Sequence, residues 1–407
     1  MKKFSRALSL SLGLAVTPFL VAEDGELDRQ DIQALRDWLN TKRQVTVREI
    51  GGNLSISGEV RAEFQANNEV LGGVQQRGVG GATSAPTNAY DIEVNLMLDY
   101  RADKAWSSIK LEFDNDAGLF TATDAKIRLE RALFGVRLWD GDVATFDIEI
   151  GRRPLFNFFD SKVEFGSRCD GVFLRYDIST ESHGDVYAHG VAELLDDRIN
   201  QYAYLAELGW LSIMDTGLFF KYSVADWHTK ELSVPAKWRF DYIVNQWLVG
   251  YKFIPEKFGK LIMPYAAFLW NPVAATSFVT DHKKVNKGGY LGFSMGELRK
   301  KGDWALDANY QVVQAQAVPE FDTNGIGLGN VAKTGLYTTT SNGSKVVDSK
   351  AGAGGNTNYR GFIFTLEYLL TNNLNLQQQW QQSITLDKSI GPFRRYKQYE
   401  IEFIYGF

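Results

Sequence analysis

The chain has 407 residues, 44% of them hydrophobic, enough for one large core or two moderate ones, so length alone does not separate a soluble enzyme from a membrane barrel. A net charge of -5 leaves no basic footprint for nucleic acid, and a single cysteine, Cys169, excludes an intramolecular disulfide framework. The 13% aromatic share leans toward a barrel with aromatic girdles at its two interfaces.

Lys2, Lys3 and Arg6 precede an apolar run from Ala7 to Val21 that ends at Ala22, before the acidic Glu23 and Asp24. That order predicts a secretory signal peptide over 1–22, whose Ser-rich core is too short to span a bilayer as a helix. No later window approaches about 18 consecutive apolar residues, so export without a transmembrane helix is expected. Cys169 would then be either an inert lumen thiol or an intermolecular cross-link. Between Glu26 and Arg43, Ile32, Leu35 and Leu39, widened by Trp38, follow helical spacing and predict a short amphipathic helix. It has too few heptads for a strong coiled-coil seam, so 23–52 reads as helix and linker.

From Asn53 the period becomes two and stays so. Leu54, Ile56, Val60, Ala62 and Phe64 alternate with Ser55, Ser57, Glu59, Arg61 and Glu63. After a loop over 66–89, Tyr90, Ile92, Val94, Leu96, Leu98 and Tyr100 oppose Asp91, Glu93, Asn95, Asp99 and Arg101. A ten-residue strand rising about 3.3 Å per residue at a tilt near 40° spans roughly 25 Å, the height of an outer-membrane apolar band. Each strand therefore fits a bilayer, not merely a half-buried sheet. The third strand sets Ile109, Leu111 and Phe113 against Lys110, Glu112 and Asp114; the fourth changes register near Arg131, which predicts a bulge.

Further strands are expected around 146–150, 172–176, 185–192, 201–210, 217–225, 240–253, 261–270, 289–298, 304–313, 360–370, 374–386 and 396–407, about sixteen in all. Connections after even strands are brief, whereas those after odd strands include 66–89, 271–287 and 314–359. Short turns on one rim and long loops on the other are what an outer-membrane barrel shows. The predicted fold class is an all-β transmembrane antiparallel barrel over 53–407, with the helix before it periplasmic. The glycine runs of 324–329 and 352–355 precede no helical period, so they read as flexible external loop rather than a phosphate cradle.

The last strand carries Tyr399, Ile401, Phe403, Tyr405 and Phe407 on one face and Gln398, Glu400 and Glu402 on the other. It resembles the insertion signal of Gram-negative outer-membrane β-barrels. Arg131-Ala132-Leu133-Phe134-Gly135-Val136, then Ile148-Glu149-Ile150-Gly151-Arg152-Arg153, then Asp170-Gly171-Val172-Phe173-Leu174-Arg175-Tyr176 resemble the centre of the Gram-negative general porins. A likeness to the porin-like outer-membrane proteins of environmental chlamydiae is also noted. Arg153 departs from the glutamine usual at that place, and so does the amino-terminal helix. The resemblance implies a homotrimer in the bacterial outer membrane, in contact with lipid and lipopolysaccharide, inserted by the barrel-assembly machinery through its last strand, with a third loop folded inward.

That loop and its root bring Arg152, Arg153, Lys162 and Arg168 near Asp160, Glu164 and Asp170, and Leu155, Phe156, Phe158 and Phe159 would anchor it. Opposed charges in a water-filled pore discriminate ions, so these residues are the candidate constriction. Arg61, Lys110 and Arg128, with Arg137, are the candidate pore wall; Glu59, Asp91, Glu93 and Glu112 share the inner surface, and Asn375, Gln377, Gln379 and Gln381 form a neutral stripe there. The four histidines have no nucleophile motif nearby, and Asp114-Asn115-Asp116 lacks the distal glutamate of a calcium loop. Neither an enzyme nor a metal or other cofactor is expected. The function expected is passive diffusion of small hydrophilic solutes and ions. Two alternatives stand beside it: an anion- or phosphate-selective channel, favoured by four cations against three acids in the third loop, and a structural or adhesive surface barrel with a blocked lumen.

Overall fold

The computed structural model describes residues 45–49, 52–83, 85–116, 126–180, 183–197, 201–228, 241–274, 276, 283–319, 322–327, 340–341, 344–345, 356–389 and 393–407. The expected leader and amphipathic helix lie outside these residues. The first strands are β1 (Gly52–Leu71), β2 (Asn88–Ala102), β3 (Ala105–Asp116), β4 (Lys126–Asp140), β5 (Ala144–Pro154) and β6 (Arg168–Thr180). They continue with β7 (Gly184–Asp196), β8 (Gln201–Leu211), β9 (Leu218–His228), β10 (Asp241–Tyr251) and β11 (Ile262–Trp270). The last are β12 (Lys287–Gly296), β13 (Trp304–Val313), β14 (Tyr359–Leu369), β15 (Leu374–Thr385) and β16 (Arg394–Gly406).

Each strand pairs antiparallel with the next, and β16 returns to β1 through the register Glu59↔Gly406 to Leu71↔Arg394. The wall is closed, and its sixteen strands are those the alternation predicts. Closure removes the bare edge that an open sheet would expose, which is the condition for a sheet to cross lipid. A short strand, Val45–Glu49, folds back antiparallel onto Gly52–Ile56, where the sequence suggested only a linker.

The outer face is apolar. Tyr90, Tyr202, Trp270 and Tyr310 are exposed toward the long-loop rim, and Tyr176, Tyr251, Tyr368 and Tyr405 toward the short-turn rim. Ile92, Leu208, Leu291 and Phe403 fill the band between them. In water so large an exposed apolar surface would be a liability; against lipid it is the expected solvent contact. Tyr399, Phe403, Tyr405 and Phe407 all stand on this face. The bulge forecast near Arg131 is present: Lys110 pairs with Arg131 and Leu111 with Leu129, which leaves Glu130 unopposed.

The seam is reinforced at its lower end. Phe407 N donates to Gly58 O (2.9 Å), Gly58 N donates to Phe407 O (3.0 Å), and the Phe407 ring fills the space where a Cβ on Gly58 would stand, 2.5 Å from Cζ. Gly58→Leu is therefore expected to displace the terminal ring and open two seam hydrogen bonds. Each such bond contributes about 1 kcal/mol. Thermal unfolding in detergent should show a lowered midpoint, while Val60→Leu, on the same face and in open contact with lipid, should leave it unchanged.

Candidate pore constriction

The segment 155–167 leaves β5, enters the lumen and returns to β6. Its apolar side chains Leu155, Phe158, Phe159, Val163 and Phe165 are all buried in a cluster with inward residues of β6 to β14, including Phe173, Leu205, Leu248 and Tyr290. Burying five such side chains contributes roughly 1.5–3 kcal/mol each, which offsets the cost of ordering a loop inside a water-filled barrel. Phe158 also stacks on His189, whose Nδ1 lies 2.9 Å from the Phe158 carbonyl.

Polar ties fix its path along β8 to β13. Asp160 N donates to Glu207 Oε2 (3.3 Å), and Lys221 Nζ meets Asp160 Oδ2 at 2.8 Å. Gln246, itself 1% exposed, accepts from Ser161 Oγ (2.7 Å) and donates to the Asp160 carbonyl (2.8 Å). Farther on, Gln311 Nε2 donates to the Lys162 carbonyl at 3.2 Å, and Lys162 Nζ lies 3.2 Å from Asp307 Oδ2. Sequence reasoning named none of these wall anchors. Glu207 and Gln246 stand out in retrospect as polar residues in inner columns that are otherwise small or apolar, such as Ala203, Leu205 and Gly209 on β8.

A second segment joins the loop. Residues 314–319 and 322–327, expected to be flexible external loop, instead turn inward: Ala315, Gln316, Ala317, Val318 and Ile326 are buried. Asn324 N donates to the Val163 carbonyl (2.8 Å), Gly166 N to the Asp322 carbonyl (3.0 Å), and Ser167 donates through N and Oγ to Asp322 Oδ1. Part of the glycine run has a packing reason here. A Cβ on Gly325 or Gly327 would fall about where the Tyr359 ring lies, 1.8 and 2.2 Å from its nearest atoms.

The seven candidate constriction residues do not form one ring. Asp160, Lys162 and Glu164 lie on the inward loop, and Arg153 points inward at its root, paired with Glu149 and lying over the Phe158 ring. Arg152 and Asp170 face outward, because Ile150 and Val172 are on the lipid side and these residues follow at period two; they pair with each other at 2.6 Å. They therefore stand outside the lumen and line no constriction. Arg168 binds Glu130 at 2.5 Å. All four cations of the group thus have a carboxylate partner, so the excess that favoured an anion channel does not survive as an open positive field.

The candidate wall residues sit on the inner face of β1, β3 and β4, across the lumen from the anchored loop. Arg61 reaches Glu59 (2.5 Å), Glu402 (3.2 Å) and Glu93 (3.8 Å); Arg128 reaches Glu112 (2.8 Å) and Asp114 (2.9 Å); Arg137 reaches Asp147 (2.8 Å). Lys110 stands opposite Arg131. Cys169 is a free thiol, 1% exposed in the lumen cluster, which leaves no accessible sulfur for a cross-link. Among the described residues no group of three or more His, Cys, Asp or Glu side chains could hold a metal ion.

Glu164 and Asp322 both lie at the junction of the two inward segments. Both are almost fully buried, and each keeps one oxygen without a hydrogen-bond partner. Burial raises the Glu164 carboxyl well above its ordinary value, and Asp322 adds to the rise; burial likewise pushes Asp322 up to about 6, against the pull of the Ser167 hydrogen bonds.

The barrel aligns with solved structures along most of its length. OprB of Pseudomonas putida matches over 96% of this chain and 100% of its own, at TM-score 0.53 and 10% identity. OmpF of Salmonella typhi matches over 89% and 100% at TM-score 0.48 and 12% identity, and the channel DcaP of Acinetobacter baumannii over 88% and 99% at the same two values. No protein-family model and no curated protein sequence matches the chain. At this identity the OprB likeness is one of fold alone: the two chains share a closed antiparallel β-barrel.

Both carboxyls hold protons more tightly when the two segments are docked. Docking is therefore strongest below their ordinary values near 4 and weakens as pH rises, through about 6 for Asp322. Thermal midpoints measured in detergent from pH 4 to 8 should fall across that window. Glu164→Gln, which copies the neutral acid, should flatten the fall without lowering the midpoint at pH 5.

Proposed function

We propose that the protein is an outer-membrane porin through which small hydrophilic solutes and ions diffuse passively, with the lumen narrowed by residues 155–167. The observation that carries this reading is the one-sided anchoring of the loop. Its hydrogen bonds run to β8, β9, β10 and β13, while the opposite wall, β15 through β4, keeps an inner face of carboxylates, guanidiniums and amides. A lumen with one packed side and one polar side provides a narrowed aqueous path, and barrels of sixteen strands are wide enough to hold one. Barrel assembly through the last strand, contact with lipopolysaccharide and a homotrimer belong to the same proposal. The outward Tyr399, Phe403 and Tyr405 would meet lipid or a neighbouring copy.

A second reading is favoured by the apolar cluster inside the barrel: if the two inward segments fill the whole cross-section, the barrel is a surface scaffold that acts through its loops. Reconstitution in a planar bilayer separates the two. Discrete ohmic conductance steps are expected; insertion without steps would favour the occluded scaffold. Gln246→Leu would leave the Ser161 hydroxyl and the Asp160 carbonyl without their partner, a loss of about 1–3 kcal/mol. In that variant the steps should persist but flicker, as the loop detaches and returns.

A further inference from the structure

We propose that the polar side of the lumen is a path for cations: inorganic cations and small ammonium-bearing solutes pass along the inner wall of β16, β1, β2, β3 and β4 in preference to anions. This deepens the porin reading and rests on it.

Three stacked cross-strand rows make up the wall. The row nearest the long loops joins Glu402, Glu63 and Asp91; the next joins Arg61, Glu93 and Asp114; the third joins Glu59, Asn95, Glu112 and Arg128. Among the described side chains these rows hold seven carboxylates and two guanidiniums. Like charges directly opposite one another in a sheet are destabilising, so a ladder of this kind persists with counter-charge or with bound protons. Arg61 and Arg128 supply part of it through the ion pairs described above, while Glu63 and Asp91 make no ion pair with a described residue. The row below carries Lys110 opposite Arg131, which raises the cations to four and still leaves carboxylates in excess.

Asn95 supplies an independent indication. It is fully buried at the centre of the third row, and its Nδ2 donates to Glu59 Oε1 (2.9 Å) and to Glu93. Its Oδ1 has no donor. A buried acceptor left without a donor among carboxylates is satisfied by water or by a cation, and a carbonyl oxygen beside carboxylates replaces part of a cation's hydration shell. Among the described residues these rows form no metal-holding cluster. Conduction needs attraction enough to enter and weak enough binding to leave.

The opposite side cannot cancel the field. Lys162 is matched by Asp307, Lys221 by Asp160 and Arg153 by Glu149. Selectivity is therefore set by the wall and not by the loop.

The test is the reversal potential of the full-length barrel in a planar bilayer under a KCl gradient at pH 8. Conductance steps with a potential on the cation side, weakening several-fold as ionic strength rises and falling toward zero in Glu63→Gln/Asp91→Asn, are expected. Those two substitutions are isosteric at residues with no ion pair to a described residue, and Asn95→Leu offers a third reading of the same wall. Steps with a zero or anion-side potential would overturn the cation path while leaving the porin reading intact. A cation-side potential that all these variants leave unchanged would overturn the assignment to this wall. Absence of any steps would overturn both.

Discussion

A sheet that crosses lipid must pair every backbone N–H and C=O within itself, because hydrocarbon offers no partner. Here that demand is met at one place above all, the antiparallel pairing of β16 with β1 from Glu59↔Gly406 to Leu71↔Arg394. Once the ring is closed, alternation has only one reading, oily outward and polar inward, and side chains on each strand are committed by their parity. The long and short connections follow too, since antiparallel neighbours deliver successive links to opposite rims. Arg61 stands at this seam and touches carboxylates of β1, β2 and β16 together, so the side-chain network and the backbone ladder close the wall at the same point.

Closure creates a second problem, which is the interior. A sixteen-stranded ring is too wide for its own side chains to fill, and the chain answers differently on its two sides. Along β6 to β14 it brings in two segments and packs them with an apolar cluster; along β15 to β4 it fills the inner face with charges and amides. The packed side buries its polar ties as matched pairs. Gln246 saturates the loop backbone, and Lys221 answers Asp160, which limits the desolvation cost that unpaired groups would carry.

That division explains what the sequence made legible. Strands with water on one face and lipid on the other show a clean period of two, and β1, β2, β3 and the last strand were readable residue by residue. β10 was not. Tyr242, Val244 and Leu248 point inward while Ile243, Trp247 and Val249 point outward, so both faces are apolar and hydrophobicity cannot tell them apart. The inner face is apolar because a loop distant in sequence lies on it, which no local pattern reports. For the same reason the inward turn of 314–319 and 322–327 was hidden: two alanines and a valine in a long glycine-containing loop carry no periodic mark. Arg152 and Asp170 were misplaced for a different reason. Proximity along the chain brings them beside the loop, whereas the phase of Ile148 and Ile150 puts Arg152 outside.

The two sides of the lumen are also coupled electrostatically. Had the inward loop kept unpaired cations, their field would have compensated the acidic wall across a narrow aqueous gap with low-dielectric walls, and neither side could be argued alone. Instead each loop cation is consumed locally, Lys162 by Asp307 and Arg168 by Glu130, and the wall is left with more carboxylates than it can neutralise. An excess of this kind opposes folding unless something mobile and positive fills it, and under the proposed porin function that role falls to cations entering from the salt on either side. The same carboxylates that would weaken a dry core thus become tolerable because the site is wet, and the geometry that makes them tolerable is the loop's confinement to the opposite wall.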